Sequence, residues 1–333
     1  MHKKDLGLLV LILVVGAVTA FLNPRFLSAV NLANMANLIG LFGLFSIGVG
    51  MVIITGGIDL SVGSMFALIG VIFIDLLVNY GVPWPLVLLI AIGIGIVLGS
   101  VHGYLVTRLG MQPFVVTLCG LLIYRGIARW YMNDATIGFG YASFDTLLWL
   151  ATGRTFGLPH TFIALIVVAV VMGVVLHRSV YGRYLFAVGK NEEAARFSGI
   201  DTARVIATAY MISGGLAGLS AVFIAFYTSS VAPSAHGNFY ELYAIAAAVL
   251  GGCSLRGGEG SILGIVLGTV LLQILQNLVN LLGIPSSLNF AVMGTVILIG
   301  VLADQQLQKR RERKVAMAGQ KTKASPGAAQ ATA

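Results

Sequence analysis

The stretch Leu86-Val-Leu-Leu-Ile-Ala-Ile-Gly-Ile-Gly-Ile-Val-Leu98 belongs to a longer run, residues 81–107, that contains no Asp, Glu, Lys or Arg. A helix of about 20 apolar residues is long enough to cross the hydrocarbon core of a bilayer. The run lacks the strict alternation of apolar and polar residues that marks a transmembrane barrel strand. It therefore predicts a membrane-spanning helix, in which every backbone N–H and C=O finds a partner within the segment.

Comparable apolar runs recur along the whole chain. Hydrophobic residues make up 58% of the 333 residues and charged residues only 10%, and the mean hydropathy is +0.96. A soluble domain carries about 25% charged residues, so the composition excludes that class. We predict an all-α, polytopic helical membrane protein with about ten transmembrane helices. The predicted spans are 6–22, 32–54, 60–80, 85–107, 113–131, 160–177, 205–227, 239–253, 261–282 and 288–303.

The basic residues predict the orientation of these spans. When the N-terminus is placed inside, all but four of the 20 Lys and Arg residues fall in inner segments or in the C-terminal tail. The four exceptions lie in outer segments and helix ends: Arg25, Arg125, Arg129 and Arg154. The positive-inside rule then places both termini in the cytoplasm. This scattered distribution of the net charge of +8 also argues against a nucleic-acid-binding surface.

Two domains are expected: a single transmembrane domain over 1–304 and a basic, disordered cytoplasmic tail over 305–333. The first 20 residues resemble a signal peptide, because Lys3 and Lys4 precede an apolar run. The run is long and many spans follow, so we predict a retained first helix, with cleavage as the alternative.

An inner loop contains the pattern of a complete short helix. Asn191 suits the N-cap, the acidic pair at 192–193 complements the positive end of the helix dipole, and Gly199 suits a left-handed stop. A helix of two turns does not persist alone in water, so it must dock on something. Its apolar face, with Ala194 and Phe197, predicts a groove on a partner protein; the alternative is docking on this chain's own inner surface.

A second segment, Thr55–Ser64, is the one inner segment that carries an acid and no basic residue. This suggests a turn tucked within the protein, with Asp59 or Ser61 capping the following helix. Polar residues at broken helices often contact the transported solute, and a purely structural cap with close glycine packing is the alternative. The candidate solute-pathway residues in this segment are Gly56, Gly57, Asp59, Ser61 and Ser64.

A third segment, Gly251–Ser261, is rich in glycine and also follows an apolar run on the inner side. It lacks the Gly-x-x-x-x-Gly-Lys-Ser/Thr pattern of a phosphate-binding loop, so the chain shows no ATP site of its own. A hinge or inner gate and plain tight packing are both open interpretations. The candidate gate residues are Gly251, Gly252, Gly257 and Gly258. The two cysteines, Cys119 and Cys253, lie in apolar segments and indicate neither a disulfide framework nor a metal site.

The chain also lacks an evident ion-coupling pair. Asp59 and Glu241 are the acids near helix ends, and neither has an obvious basic partner in the sequence. No nucleophile, base and metal-ligand set converges, so enzyme chemistry is not expected. A transporter without its own nucleotide site or an internal ion-coupling pair must draw its energy elsewhere, and an exposed, capped helix on the inner face is where a driving protein could act.

The three segments together resemble the permease subunits of bacterial ATP-binding-cassette importers for sugars, of the ribose, xylose, rhamnose and autoinducer type. Gly-Gly-Ile-Asp-Leu-Ser-Val-Gly-Ser at 56–64 is characteristic of that family. The loop Asn191–Gly199 matches the family's ATPase-docking segment, and Gly251–Ser261 matches a third family segment. The resemblance covers about residues 5–303, with Lys190, Cys253 and Leu255 as departures. It implies the docking residues: Asn191, Glu192, Glu193, Ala194, Ala195, Arg196, Phe197, Ser198 and Gly199.

The resemblance further implies a complex in the bacterial inner membrane. Its partners would be a cytoplasmic ATPase, which binds ATP and Mg, a second permease subunit, identical or sister, and a periplasmic sugar-binding protein. The chain itself would carry no cofactor and no nucleic acid, and would contact membrane lipid. We therefore expect a sugar or polyol import permease. The alternatives are a related amino-acid importer permease and an ion-coupled secondary carrier.

Overall fold

The computed structural model describes residues 3–140, residues 144–285 and five single positions between 288 and 298. Helices dominate the described chain. They are α1 (Lys3–Leu22), a 3-10 turn (Pro24–Leu27), α2 (Ala29–Ile54), α3 (Val62–Val78), α4 (Trp84–Arg108), α5 (Pro113–Tyr131), α6 (Asp145–Thr152), α7 (His160–Arg178), α8 (Val180–Lys190), α9 (Glu192–Phe197), α10 (Thr202–Thr228), α11 (Tyr240–Leu250) and α12 (Ile262–Leu281). Four two-residue strands complete the elements: β1 (Ile137–Gly138), β2 (Arg154–Thr155), β3 (Leu158–Pro159) and β4 (Ser230–Val231).

The prediction of a polytopic helical membrane protein is confirmed. Among the described helices, α1, α2, α4, α5, α7, α10 and α12 are long and apolar enough to cross a membrane. Two further apolar helices, α3 and α11, are shorter, with 17 and 11 residues. Each of the first nine predicted spans overlaps one of these nine helices. Apart from single positions, the predicted tenth span and the tail at 305–333 lie outside the described residues.

Helix α2 forms the centre of the bundle. Its residues from 39 to 54 are buried without exception, and it packs against α7, α10, α11 and α12. A helix that is apolar all round is stable when neighbours cover every face. The short helices α3 and α11 are also almost fully buried. Most of the lipid-facing surface must therefore come from the outer helices, such as α1, α4, α5 and α7, in which few residues are buried.

The most extensive helix contact joins α4 to α10 through glycines spaced four residues apart. A Cβ atom added at Gly95 would lie 2.1 Å from the carbonyl oxygen of Gly214, and one added at Gly99 would lie 2.2 Å from that of Tyr210. Backbones this close leave no room for side chains. Small residues at such positions let membrane helices pack by direct van der Waals contact.

We expect Gly95→Ala to destabilise the folded protein by about 1–3 kcal/mol, the usual effect of overpacking. Gly93→Ala is the matched control, because nothing lies within 4 Å of a Cβ at this position on the same helix. At position 93, alanine should leave the stability unchanged or raise it slightly, because alanine has a higher helix propensity than glycine. Thermal unfolding in detergent measures both, and equal midpoints for the two variants would contradict the tight α4–α10 contact.

The two ends of the bundle are distinguished by their loops. At one end, Thr161 at the start of α7 donates a 2.6 Å hydrogen bond to Asn37 near the start of α2, and the β2–β3 hairpin precedes α7. Strand β1 pairs there with β4, with Ile137 opposite Val231. We call this the hairpin end. The opposite end holds the C-terminus of α2 together with α8 and α9, and we call it the α9 end.

Candidate functional site

Helix α9 is short, capped at both ends and exposed. The Asn191 side chain accepts a 2.9 Å hydrogen bond from the Ala194 N–H, and Gly199 has a φ of +83°. Every residue of the predicted docking segment 191–199 is exposed except Ala195. Phe197 exposes 82% of its surface. The helix therefore attaches to this chain through Ala195, while its aromatic residue points away from the described protein.

The segment that follows α2 runs into the bundle before α3 begins. The Tyr210 hydroxyl donates to the Ile58 carbonyl at 3.2 Å, and the Ser213 hydroxyl donates to Asp59 Oδ2 at 2.8 Å. Ser213 lies eleven residues after the start of α10, about 16 Å along a helix that starts at the α9 end. Asp59 is therefore placed deep within the bundle, and α3 spans only the remaining depth.

Both oxygens of the Asp59 carboxylate accept hydrogen bonds from protein donors. Its Oδ1 accepts hydrogen bonds from the Ser61 N–H at 3.1 Å and from the Ser61 hydroxyl at 2.7 Å. Asp59, Ser61 and Ser64 have no exposed surface, whereas Gly56 is exposed. The capping arrangement differs in detail from the prediction, because Ser61 is the N-cap of α3 but its side chain bonds Asp59 rather than an amide of the first turn. A contact between Asp59 and a solute stays a prediction.

The two short helices begin beside each other in the interior of the bundle. A Cβ at Gly63, in the first turn of α3, would lie 2.3 Å from the Gly237 carbonyl oxygen, and one at Gly237 would lie 2.4 Å from the Gly63 oxygen. From this point α3 continues to the hairpin end and α11 continues to the α9 end. We call it the half-helix contact. Discontinuous helices of this kind place backbone ends and polar groups at mid-depth in transporters.

Arg125 holds this contact together from α5. Its guanidinium donates to the carbonyl oxygens of Pro233 at 2.9 Å, His236 at 2.7 Å and Gly63 at 3.4 Å. The buried Glu241 carboxylate also reaches Gly63, since its Oε2 would lie 2.3 Å from a Cβ added there, and it interacts electrostatically with Arg125. The Arg125 guanidinium thus binds the carbonyl groups of the loop between α10 and α11 and also interacts with the buried acid Glu241.

This arrangement corrects two sequence-based expectations. Arg125 was placed at an outer helix end, but it lies inside α5, and Glu241 does have a basic partner. A charge within an apolar span is itself a signal, because such residues face a bundle interior or a cavity.

Aromatic side chains cover the half-helix contact on the side of α2. Phe45 stacks on Tyr240 with ring centroids 6.1 Å apart, and Phe66 meets Phe45 edge-on at 5.0 Å. Phe42 contacts Tyr240 and Tyr243 at about 5 Å, as aromatic pairs prefer. Phe45 and Phe66 are fully buried and Tyr240 is half-buried, so the rings pack an apolar cover over the point where α3 and α11 begin.

The glycine-rich segment after α11 lies beside the end of α2. The Gly258 N–H donates to the Ile54 carbonyl at 2.8 Å, and Gly252, Gly257 and Gly258 all have positive φ angles. A Cβ at Gly251 would lie 2.3 Å from the Gly264 carbonyl oxygen. The structure therefore brings the second and third predicted segments together at the α9 end. These glycines permit close backbone packing, and a gating motion stays a prediction.

Within residues 3–140 and 144–285, no group of three or more His, Cys, Asp or Glu side chains is placed to hold a metal ion. Cys119 is exposed on α5 and Cys253 is buried near the end of α11, without a disulfide between them.

Comparison with known proteins gives a consistent set of relatives. Residues 31–301 match the family model for the permease component of the branched-chain amino acid transport system. The chain is 36% identical to the ribose import permease protein RbsC of Escherichia coli (strain K12), over 92% of this chain and 94% of that protein. It is 38% identical to RbsC of Bacillus subtilis (strain 168), over 90% and 91%. It is 32% identical to the fructose import permease protein FrcC of Rhizobium meliloti, over 91% and 85%. No solved structure matches the chain.

Proposed function

Because the chain belongs to the family of branched-chain amino acid transport system permease components, we propose that it is the membrane-spanning permease subunit of an ATP-binding-cassette importer. The solute is a sugar or polyol, delivered by a periplasmic binding protein. The chain itself performs no bond chemistry. ATP and Mg bind to a separate cytoplasmic ATPase, which supplies the energy.

The relatives favour a sugar over an amino acid. The family description names branched-chain amino acids, but the relatives that align with nearly the whole chain are named for ribose and fructose import. The Gly-Gly-Ile-Asp-Leu-Ser segment at 56–61 also resembles sugar permeases. An amino-acid substrate is the second candidate, supported by the family description alone.

The observation that carries the proposal is the exposed, capped helix α9. A six-residue helix is too short to persist by its own propensity, so its two caps and Ala195 must hold it in place. The caps and Ala195 thereby fix Phe197 in an outward-facing position, flanked by Arg196 and the acids at 192–193. An exposed aromatic with charges around it is typical of the centre of a protein interface. An ATPase that contacts this helix differently in its two nucleotide states would bias the conformation of the permease.

The proposed topology has about ten crossings with both termini in the cytoplasm and the α9 end facing the ATPase. The distribution of Lys and Arg supports it, because the α9 end holds Arg178, Arg183, Lys190, Arg196 and Arg204. The hairpin end then faces the periplasm and the binding protein. The working complex contains a second permease subunit and lies in the bacterial inner membrane.

Solute uptake by vesicles that contain the chain, its ATPase and its binding protein tests the proposal. Radiolabelled ribose, fructose and leucine are offered separately, each together with that binding protein. We expect a sugar to accumulate only when ATP and the binding protein are both present. Uptake of leucine alone would favour the amino-acid alternative. Uptake by the isolated chain under an ion gradient without ATP would overturn the proposal in favour of a secondary carrier.

A further inference from the structure

Three distant segments of the chain meet in direct backbone contact at the α9 end. They are the last turn of α8, the end of α2 and the loop that follows α11. A Cβ atom added at Gly189 in α8 would lie 1.9 Å from the Ile54 carbonyl oxygen and 2.4 Å from the Gly258 nitrogen. Side-chain atoms do not approach backbone atoms this closely, so glycine at 189 is what allows the contact to form.

The loop after α11 completes the contact. A Cβ at Gly257 would lie 2.6 Å from the Gly189 carbonyl oxygen and 2.8 Å from the Gly56 nitrogen, and the Gly258 N–H bonds the Ile54 carbonyl at 2.8 Å. Gly56, Gly257 and Gly258 have φ angles of +85°, +83° and +73°, which side-chain-bearing residues rarely adopt. We call Gly56, Gly189, Gly257 and Gly258 the glycine junction.

On one side, the junction connects almost rigidly to α9. Gly189 is the penultimate residue of α8, and the Asn191 N–H continues that helix by donating to the Ala187 carbonyl at 3.1 Å. The Asn191 side chain then caps α9, and Thr202 at the start of α10 donates to Glu192 at 3.2 Å. No flexible loop separates α9 from Gly189, so a displacement of α9 must also move the junction.

On the other side, the junction is close in sequence to the Asp59 segment before α3, to the start of α12 and to the end of α2. Two residues separate Gly56 from Asp59, and the Ser213 hydroxyl binds Asp59 to the middle of α10. Two residues separate Gly258 from Ser261, whose hydroxyl caps α12 by accepting from the Gly264 N–H at 2.9 Å. Ile54 itself is the last residue of the central helix α2. The central helix α2 therefore ends at this contact, and the Asp59 segment and α12 follow it within a few residues.

We propose that the glycine junction transmits the motion of α9 to α2, to the Asp59 segment and to α12. This inference rests on the proposed function and identifies the internal residues through which the ATPase-docking helix acts. The four glycines bind no ligand. Their role is positional, because direct contact between rigid backbones passes on a displacement that flexible side chains would absorb.

Gly189→Ala tests the junction, with Gly173→Ala as the matched control, since nothing lies within 4 Å of a Cβ at Gly173 in α7. We expect Gly189→Ala to insert and to retain the ATPase on co-purification. Uptake should fall roughly tenfold, within the usual range of coupling between sites. ATP hydrolysis should fall much less, so the ATP hydrolysed per solute imported rises. A purely structural defect would lower both activities together. Parent-level uptake and coupling ratio in Gly189→Ala would overturn the inference.

Hydrogen–deuterium exchange in the parent complex gives a second test that needs no substitution at the junction. The reporter is the Gly258 amide, whose N–H donates to the Ile54 carbonyl at 2.8 Å. When ATP binds to the ATPase, exchange should change at residues 187–191 and at Gly258 together. A change at 187–191 with no change at Gly258 would contradict the inference. If the parent complex imports no solute when ATP is present, the proposed function itself would be contradicted.

Discussion

Replacing Arg125 by methionine is expected to destabilise the inserted protein by about 1–3 kcal/mol, the usual cost of leaving buried polar groups without their hydrogen-bond donor. Three carbonyl oxygens, those of Pro233, His236 and Gly63, would lose their donor, and the buried Glu241 would lose its cation. Because α3 and α11 both begin here, the loss should reach the centre of the bundle. Thermal unfolding in detergent and the yield of inserted protein measure it.

Arg129→Met is the matched control for Arg125→Met. Arg129 lies one turn further along α5, is exposed, and pairs with Asp134 at 2.6 Å. Exposed ion pairs contribute little to stability, so this variant should behave like the parent. The double variant Arg125→Met with Glu241→Gln should recover part of the loss, because it removes the uncompensated charge. Equal unfolding midpoints for Arg125→Met and Arg129→Met would contradict the role assigned to Arg125.

Asp59→Ala is the second change with a large expected effect. It leaves the hydroxyls of Ser61 and Ser213 without their acceptor in a region with no exposed surface. An unsatisfied buried donor costs about 1–3 kcal/mol, so two of them should lower the unfolding midpoint clearly and abolish uptake. Asp201→Ala is the control, since that carboxylate also accepts a backbone hydrogen bond, from Arg204 at 3.0 Å, but at an exposed helix start.

Asp59→Asn separates the two interpretations of this carboxylate. Asparagine keeps the shape and one acceptor, so a purely structural cap would retain much of the stability and of the uptake in parallel. Loss of uptake with a nearly normal unfolding midpoint would indicate that the charge itself acts on the solute pathway. A variant Asp59→Ala that unfolds at the parent's midpoint would show that the buried hydrogen bonds contribute nothing.

Local patterns in the sequence were sufficient for the long helices and for α9. Hydropathy finds α2 and α10 because a bilayer demands long apolar runs, and Asn191 and Gly199 mark the ends of α9 because caps act on their nearest neighbours. These features depend on residues within a few positions of one another. The long helices and α9 can therefore be predicted without knowledge of the tertiary structure.

Features that depend on packing between distant segments could not be predicted in this way. Asp59 and Ser213 are 154 residues apart, and no local pattern joins them. Hydropathy finds α3 itself, but it does not show how deep in the bundle the polar residues before the helix lie. In the sequence, Gly189 is an ordinary glycine beside a charged loop. Its role depends on contacts with the backbones of Ile54 and Gly258, which only the tertiary structure shows. Arg125 alone carried a usable signal, as a charge within an apolar span.

The central claim is that α9 receives the ATPase of a sugar importer. The most direct measurement compares ATP-dependent uptake and ATPase co-purification for the parent and for the triple variant Glu193→Ala, Arg196→Ala, Phe197→Ala. A triple variant at the hairpin end that removes one acid, one arginine and one phenylalanine, Asp145→Ala, Arg154→Ala, Phe156→Ala, is the control, because all three residues are exposed far from α9. We predict that the α9 variant inserts normally but loses both the ATPase and uptake, while the control keeps the ATPase. Normal uptake and ATPase retention by the α9 variant would contradict the account.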